Sequence, residues 1–260
     1  MRRIALLVLS LSFICSFSIA LEVKLIADKV LYYPEKDIME ALGNVRLFWG
    51  DRKASADKGW VNFKTQDAFL EGNVTVEDEK GRLVAQKVSF DSKSEKYLAQ
   101  GKVLLLTKDG LKLECGKLEA YGKDKFRAYE SPIITVKESV LKASEILLEG
   151  SEAEIESPSY EDKSKSILIT ALKANMSLDN EGKIKNIRAL GNVFIKHVRD
   201  KSIFQAKADE GFYDVTSGVV KISGKASAFK DKTELRANEI IYNVDTGVMR
   251  AVGETRMVIH

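Results

Sequence analysis

Read by twos, long stretches of the chain alternate between apolar and polar side chains. Positions 39, 41, 43, 45 and 47 are Met, Ala, Gly, Val and Leu, whereas 40, 44 and 46 are Glu, Asn and Arg. The same phase returns by twos at 68–76 (Ala, Leu, Gly, Val, Val), at 97–105 (Tyr, Ala, Gly, Val, Leu) and at 187–195 (Ile, Ala, Gly, Val, Ile). A period of two describes a strand with one buried and one wet face. An amphipathic helix would need apolar positions at i, i+3 and i+4, and these segments lack them.

The alternating segments are copies of one another. Gly43, Gly72 and Gly101 stand 29 residues apart, in the contexts Gly-Asn-Val, Gly-Asn-Val and Gly-Lys-Val. The motif returns at Gly191-Asn192-Val193, Gly224-Lys225-Ala226 and Gly253-Glu254-Thr255. A second marker reads Ala27-Asp28, Ala56-Asp57 and Ala85-Gln86, and continues as Cys115-Gly116, Ser144-Glu145, Ala174-Asn175, Ala208-Asp209 and Ala237-Asn238. Turn-forming groups such as Asp91-Ser92-Lys93-Ser94, Asp109-Gly110 and Asn243 to Gly247 separate the segments. Eight markers therefore predict about eight copies of a two-strand unit, or about sixteen strands, with no length left for a separate domain.

Within each unit the second strand is expected to start near the marker. It often carries an aromatic residue four positions on, as in Tyr32, Phe90, Tyr213 and Tyr242. The glycine and alanine positions share the inward phase, where a bulky side chain would push opposing walls apart; a strand bend or tight core packing is the plainer reading of the same pattern. Cys115 fills a slot that alanine holds in other copies, so it is expected to be a small buried core residue and not a nucleophile. Between Gly101 and Gly191 the glycine slot is degenerate, with Ser131-Pro132 and Ser157-Pro158 near the expected phases. Proline removes a ladder donor, so bulges or edge positions are expected there.

The N-terminus breaks the pattern. Arg2 and Arg3 precede an uncharged run from Ile4 through Ala20 that ends in Ser18-Ile19-Ala20. A basic start, an apolar middle and a small-residue end predict a secretory signal over residues 1–20, cleaved before Leu21. An uncleaved anchor is the competing reading, but seventeen helical residues reach only ~25 Å against a hydrocarbon core of ~30 Å. Cys15 suggests a lipoprotein signal only weakly, because Ile14 stands where a small residue belongs.

Composition narrows the chemistry. The 260 residues are 45% apolar and 30% charged, which describes a folding chain and not a disordered one. With 41 basic against 38 acidic residues the formal charge is +3, and removal of Arg2 and Arg3 takes it to +1. No nucleic-acid partner is expected from so small an excess. Two cysteines and two histidines leave little for a thiol framework or a metal centre, and no cofactor is expected. Cleavage would leave Cys115 alone, so export here does not imply a disulfide.

Several of these motifs together resemble the OstA-like, LptA-type family of lipopolysaccharide-transport proteins. They are Ala-Asp-Lys-Val-Leu-Tyr at 27–32, Ala-Leu-Gly-Asn-Val at 41–45 and again at 189–193, Glu-Gly-Asn-Val at 71–74, and Ala-Asn-Glu-Ile-Ile-Tyr at 237–242. The resemblance implies an all-β fold, a single elongated open β-jellyroll over residues 21–260. It also implies a periplasmic protein that binds lipopolysaccharide and bridges the inner and outer membranes, or a membrane-anchored jellyroll component of the same exporter.

The mechanism expected from that resemblance is shielding of lipid A. Its acyl chains expose apolar surface worth ~0.8 kcal/mol per methylene in water. A rolled sheet can cover them while the anionic sugars stay wet. Candidate lining residues in the first half of the chain are Met39, Val45, Leu47, Leu70, Val74 and Val76. Val103, Leu105, Val193 and Ile195 continue the set, and all ten equally suit a closed core. The terminal strands near 22–25 and 250–260 would be free edges, which suggests edge-strand pairing with other jellyroll components or head-to-tail self-association. A β-solenoid enzyme would need clustered acids or bases, and a structural surface repeat is a further alternative. No Gly-x-Ser-x-Gly, His-Glu-x-x-His or phosphate-loop motif occurs, and His197 and His260 are both expected to be solvated.

Overall fold

Each copy of the repeat folds as a pair of long antiparallel strands because its side chains alternate and its turns carry Asp, Asn, Ser and Gly. The computed structural model describes residues 23–122, 125–179, 183–200 and 202–260. The expected export segment, residues 1–20, lies outside the described residues. No helix among the described residues is long and apolar enough to cross a membrane.

The strands run in chain order as β1 (Val23–Ile26), β2 (Lys29–Tyr33), β3 (Ile38–Trp49), β4 (Arg52–Asn62), β5 (Ala68–Glu77), β6 (Gly81–Asp91), β7 (Lys96–Thr107), β8 (Leu111–Tyr121) and β9 (Lys125–Tyr129). They continue as β10 (Ile133–Val136), β11 (Ser139–Lys142), β12 (Glu145–Glu149), β13 (Glu152–Glu156), β14 (Ser159–Asp162), β15 (Ile167–Thr170) and β16 (Lys173–Leu178). The last are β17 (Ile184–Arg199), β18 (Ser202–Asp214), β19 (Val219–Lys230), β20 (Thr233–Asn243), β21 (Met249–Val252) and β22 (Arg256–Ile259). By contacts the chain divides into an N-terminal unit, ending at Ile134 but including Leu147–Gly150, and a C-terminal unit of Thr135–Ile146 and Ser151–His260.

Among the described residues twenty-two strands stand where about sixteen were expected, and the difference has a local cause. Ten traverses of the chain are long strands with a break in their register near the middle. In six others the break is complete, and the two halves count separately: β1 and β2, β9 and β10, β11 and β12, β13 and β14, β15 and β16, β21 and β22. Among the described residues the traverses therefore number sixteen.

The break is the glycine motif itself. Leu42 pairs with Lys58 and Val45 with Ala56, so β3 carries one residue more than β4 across this point. Gly43 and Asn44 absorb the extra residue with φ of +73° and +48°. Such a bulge bends and twists the strand that carries it. The Asp28 amide donates to the Gly43 carbonyl at 2.9 Å, and the Asn44 side-chain amide donates to the Asp28 carboxylate at 2.9 Å. One repeat later the Asn73 amide donates to Asp57 at 3.0 Å, and a side chain on Gly72 would collide with the Asp57 carboxylate. Glycine is thus required by a left-handed backbone and by the aspartate of the next strand. The opposing wall, which the sequence pattern suggested as the reason for small residues here, is not what a Cβ at these positions would meet.

Two further corrections follow from this geometry. A strand starts at or beside the marker at Ala27-Asp28, Ser144-Glu145 and Ala174-Asn175, but in the other five copies the marker lies inside a long strand, as Asp57 does in β4, opposite the bulge. Buried positions on β4 are Ala54 and Ala56, then Gly59, so the two-residue phase slips by one at the marker. On β5 it does not slip, and Leu70, Val74 and Val76 keep one phase through the bulge. In the degenerate region the partner of Gly191 is Leu172, whose amide donates to the Gly191 carbonyl at 2.9 Å, and not the Ala174-Asn175 pair. Ser131 and Ser157 occupy the bulge with φ of +60° and +51°, each followed by its proline, as the expected bulge requires.

Because every traverse bends or breaks at the same place, its two halves join different ladders. In the N-terminal unit β2 pairs with residues 38–42 of β3, while β1 pairs with residues 46–49. In the C-terminal unit one wall contains β14, β15, residues 193–199 of β17 and residues 202–208 of β18. We call it the front wall. The back wall contains β13, β16, residues 184–190 of β17 and residues 210–214 of β18. β19 and β20 continue both walls, ending on β22 in front and β21 behind. This is the all-β rolled antiparallel architecture expected.

The walls face each other across an apolar interior. Phe204 of the front wall stacks on Tyr242 of the back wall with ring centroids 3.8 Å apart and planes 3° from parallel. Beside it His197 Nδ1 lies 2.7 Å from the Tyr242 hydroxyl. His197 is only 3% exposed, so the expectation that it is solvated is overturned. On the front wall it pairs with Phe204, inside the alternating apolar phase of β17. His260, by contrast, is exposed and lies 3.8 Å from Glu234.

Two outcomes are expected from this architecture. Gly72→Ala places a side chain in a left-handed conformation and against Asp57, and should lower stability by about 2 kcal/mol or more. Asn73→Gly loses only one exposed hydrogen bond and should cost about 1 kcal/mol. Urea unfolding of both variants checks the order. Burial of His197, reinforced by the charge of Arg199, lowers its pKa, while a hydrogen bond with the Lys165 backbone and the charge of Asp245 oppose the shift. Lys230 adds a smaller lowering. A lowered folded-state pKa means that the unfolded chain takes up the proton first. The stabilisation is complete above the ordinary value of about 6.5 and is lost as pH falls below it. Melting temperatures at pH 8 and pH 5 should therefore differ more in the wild type than in His197→Gln.

Candidate functional site: apolar interiors with exposed edges

Side-chain size is graded across each wall. Next to the fold line stand Ala41, Ala56, Ala85, Ala99, Ala189 and Ala208, all buried. Far from it, at the lips, stand Phe90, Tyr97, Phe204, Tyr213 and Tyr242, also buried. Two walls that meet at a fold line diverge away from it, so the inward side chains must lengthen toward the lips to keep interior density. The aromatic residue four positions beyond the marker is the sequence signature of the lip. At Gly211 the walls come close: a side chain there would meet Val193 Cγ1 at 2.9 Å.

The ten sequence-predicted lining residues all lie in these walls. Val45, Leu70, Val74, Val76, Val103 and Leu105 are buried in the N-terminal unit, where Met39 and Leu47 are half-buried. Val193 and Ile195 are buried in the C-terminal unit, at 1% exposure each. The same surface therefore serves as core in the chain alone.

Among the described residues, each unit leaves inward-facing residues uncovered at its terminal strands. Val30 pairs with the buried Ala41 and points inward with it, and Tyr32 shares its phase, yet they are 47% and 57% exposed. At the other end Met257 pairs with the buried Leu235, and Ile259 shares its phase, yet they are 61% and 71% exposed. Among the described residues no further strand covers these inward-facing apolar residues, and they are wet. Backbone groups are free there as well: among the described residues β1 and β2 pair only with β3, and β21 and β22 only with β20.

Ionisable groups in the walls are built for structure. Glu119 is 4% exposed on the outward phase of β8. Burial alone would raise its pKa, but hydrogen bonds from Lys117, Tyr121 and Lys96 outweigh that and hold it at about 2. Lys117 and Lys96 stand 2.7 and 3.2 Å away, and the Tyr121 hydroxyl donates at 2.6 Å. Such a carboxylate carries no proton to donate at neutral pH. Cys115 is buried, and burial pushes its thiol up to about 12, so it is a core residue as expected. Among the described residues no group of three or more His, Cys, Asp or Glu side chains is placed to hold a metal ion.

Sequence reasoning missed three residues at the mouth of the C-terminal unit: His197, Lys165 and Lys230. The Lys165 ammonium donates to the Val215 carbonyl at 2.7 Å and the Lys230 ammonium to the Gly247 carbonyl at 2.6 Å, each from the front lip to the back lip. For His197 a signal was present, since it occupies the apolar phase of β17 two residues after Ile195. The lysines lie at turns or strand ends, where nothing in the local sequence tells a bridging lysine from a solvated one.

No curated protein matches the chain. Among solved structures, a similar one is LptH of Pseudomonas aeruginosa, described as the LptA-homologous periplasmic component of the lipopolysaccharide transport device. It is 14% identical with a TM-score of 0.37, and the match covers 59% of this chain and 96% of that one. The family model for LptA/(LptD N-terminal domain) LPS transport proteins matches residues 53–248, well over half of the chain. The chain belongs to the LptA/LptD N-terminal-domain family of lipopolysaccharide-transport proteins.

Proposed function

We propose that the mature chain is a periplasmic lipopolysaccharide-binding protein. In this reading it shields the acyl chains of lipid A between its walls and bridges the inner and outer membranes as part of a chain of rolled sheets. The single domain expected over residues 21–260, exported by the segment at 1–20, belongs to the same reading. The observation that carries it is the exposure of inward-facing Val30, Tyr32, Met257 and Ile259 at unpaired edges. A self-contained enzyme or surface repeat would gain by capping such ends, whereas a segment of a longer conduit needs them open.

The lining supplies the affinity. Each methylene moved from water into the interior contributes ~0.8 kcal/mol, so several acyl chains outweigh the cost of parting packed walls. Met39, Val45, Leu47, Leu70, Val74, Val76, Val103, Leu105, Val193 and Ile195 are the residues assigned to that lining. The free edges supply the partners. A strand of a second rolled sheet, from another copy or another transport component, adds to β1 and β2 or to β21 and β22 by backbone hydrogen bonds and continues the apolar interior.

A photo-reactive amino acid at Val45 or Val193, in protein expressed in a lipopolysaccharide-producing host, should cross-link to lipopolysaccharide. The same probe at outward-facing Arg46 or Lys207 should not. Equal labelling inside and outside would defeat the lining assignment. Deleting residues 250–260 should lower the mass in size-exclusion chromatography at high protein concentration and abolish capture of partner components. Ile259→Asp should have the same effect in weaker form. Unchanged mass and unchanged capture would remove the edge-pairing reading.

A further inference from the structure

The mouth of the C-terminal unit is held shut by cations that rest on neutral groups. Lys165 reaches from the β14–β15 turn of the front lip to the Val215 carbonyl of the back lip, its ammonium 5.9 Å from the centre of the Tyr213 ring. Lys230, at the end of β19, reaches the Gly247 carbonyl in the same sense. Arg199 ends β17 on the same lip. Its Nη1 and Lys230 Nζ both lie 3.5 Å from the point that a Gly247 side chain would occupy. Two positive charges thus converge on one residue that has no side chain.

Carboxylates are present at this mouth, but several are already engaged. Asp162 accepts from the Lys165 amide at 3.2 Å and also from Ser164. Asp214 accepts from the Thr216 and Ser217 amides, both at 2.9 Å. Asp231 accepts from Ser202 at 3.0 Å, and Asp200 is 3.3 Å from Arg199. Asp245 lies on the back lip against Gly218. Among the described residues neither the Lys165 nor the Lys230 ammonium is within ion-pair distance of a carboxylate.

We propose that Lys165, Arg199 and Lys230 form an anion-binding rim for the phosphate groups of an acylated phospho-sugar lipid, and that capture of phosphate opens the mouth. The inference rests on the reading that acyl chains occupy the interior, and it names the part of the lipid that stays at the lip. An ammonium gains more from a phosphate oxygen than from a neutral carbonyl, because the charge-assisted bond is about twice as strong. As phosphate replaces the carbonyls of Val215 and Gly247, the two lysines leave the back lip and the carbonyls return to water at their turns. The lips then remain joined by Phe204, Tyr242 and His197, which the acyl chains displace. Head-group and tail recognition are in this way coupled through the same opening.

The test uses the mature chain with three fluorescent lipids: hexa-acyl lipid A carrying two phosphates, the same lipid after phosphatase treatment, and phosphatidylglycerol. Lys165→Gln/Lys230→Gln should weaken binding of the phosphorylated lipid A by about tenfold or more. It should leave the dephosphorylated lipid unchanged or bound more tightly, since the latch is already open. Equal binding of the phosphorylated lipid by variant and wild type, or equal loss for both forms of lipid A, overturns the rim. Phosphatidylglycerol bound as tightly as phosphorylated lipid A overturns the assignment to a phospho-sugar lipid. Absence of any lipid binding by the wild type instead removes the underlying reading of the interior. If the double variant does not fold, the salt dependence of the wild type decides. Raising salt should weaken the phosphorylated lipid and spare the dephosphorylated one, and parallel curves overturn the proposal.

Discussion

The contact between a left-handed glycine bulge and the carboxylate or amide of the neighbouring strand is the constraint from which the rest of this structure follows. Gly43 with Asp28, Gly72 with Asp57, Gly101 with Gln86, Gly224 with Asp209 and Gly253 with Asn238 are the same arrangement, one repeat after another. One extra residue on one strand bends that strand, and stacking the bends in register turns a flat meander into two walls. An uninterrupted sheet of this composition would have a single apolar face with nothing to cover it. The bulge makes the sheet cover itself, and the interior is a product of that fold line.

Once the walls are set at an angle, the gradation of side chains becomes a packing requirement. Alanine fits where the walls meet, branched aliphatic residues fit midway, and tyrosine and phenylalanine are needed at the lips. Phe90, Tyr213 and Tyr242 satisfy this within the repeats, at 2%, 1% and 2% exposure, while Tyr32 in the equivalent place is 57% exposed because it is the first of the series. The exposed ends and the buried interior therefore have one cause. A repeat buries its inward face against its neighbours, and the last repeat at each end has a neighbour on one side only. The unpaired edge is an ordinary liability of sheets, and the proposed function uses it to join one rolled sheet to the next.

Polar groups in the walls divide by what they rest on. Glu119 receives two ammonium groups and two tyrosine hydroxyls, and is a closed structural knot across β7, β8 and β9. Lys165 and Lys230 rest on backbone carbonyls, acceptors that a stronger anion can replace. His197 is a neutral ring whose burial is tolerated because Tyr242 and the Lys165 backbone occupy its nitrogens. The charge of these residues does not distinguish their roles; the nature of each partner does.

The sequence by itself determined the repeat, the strand character, the inward phase on the bulged strands and the family to which the chain belongs. These depend on local periodicity and on motifs that recur with it, both of which are visible in a linear text. The inward phase of Val45, Val74, Val103 and Val193 was legible for the same reason. Only the tertiary structure decided why glycine is needed, because the aspartate that excludes a side chain at Gly72 comes from another strand. It also decided that Leu172, and not Asn175, faces Gly191, since the register between broken strands is set by pairing and not by spacing. His197 was misread because histidine is usually wet, and its partner Tyr242 lies 45 residues away on the opposite wall. Contacts across an interior join residues that no local pattern connects, so the latch at the mouth belongs to the fold alone.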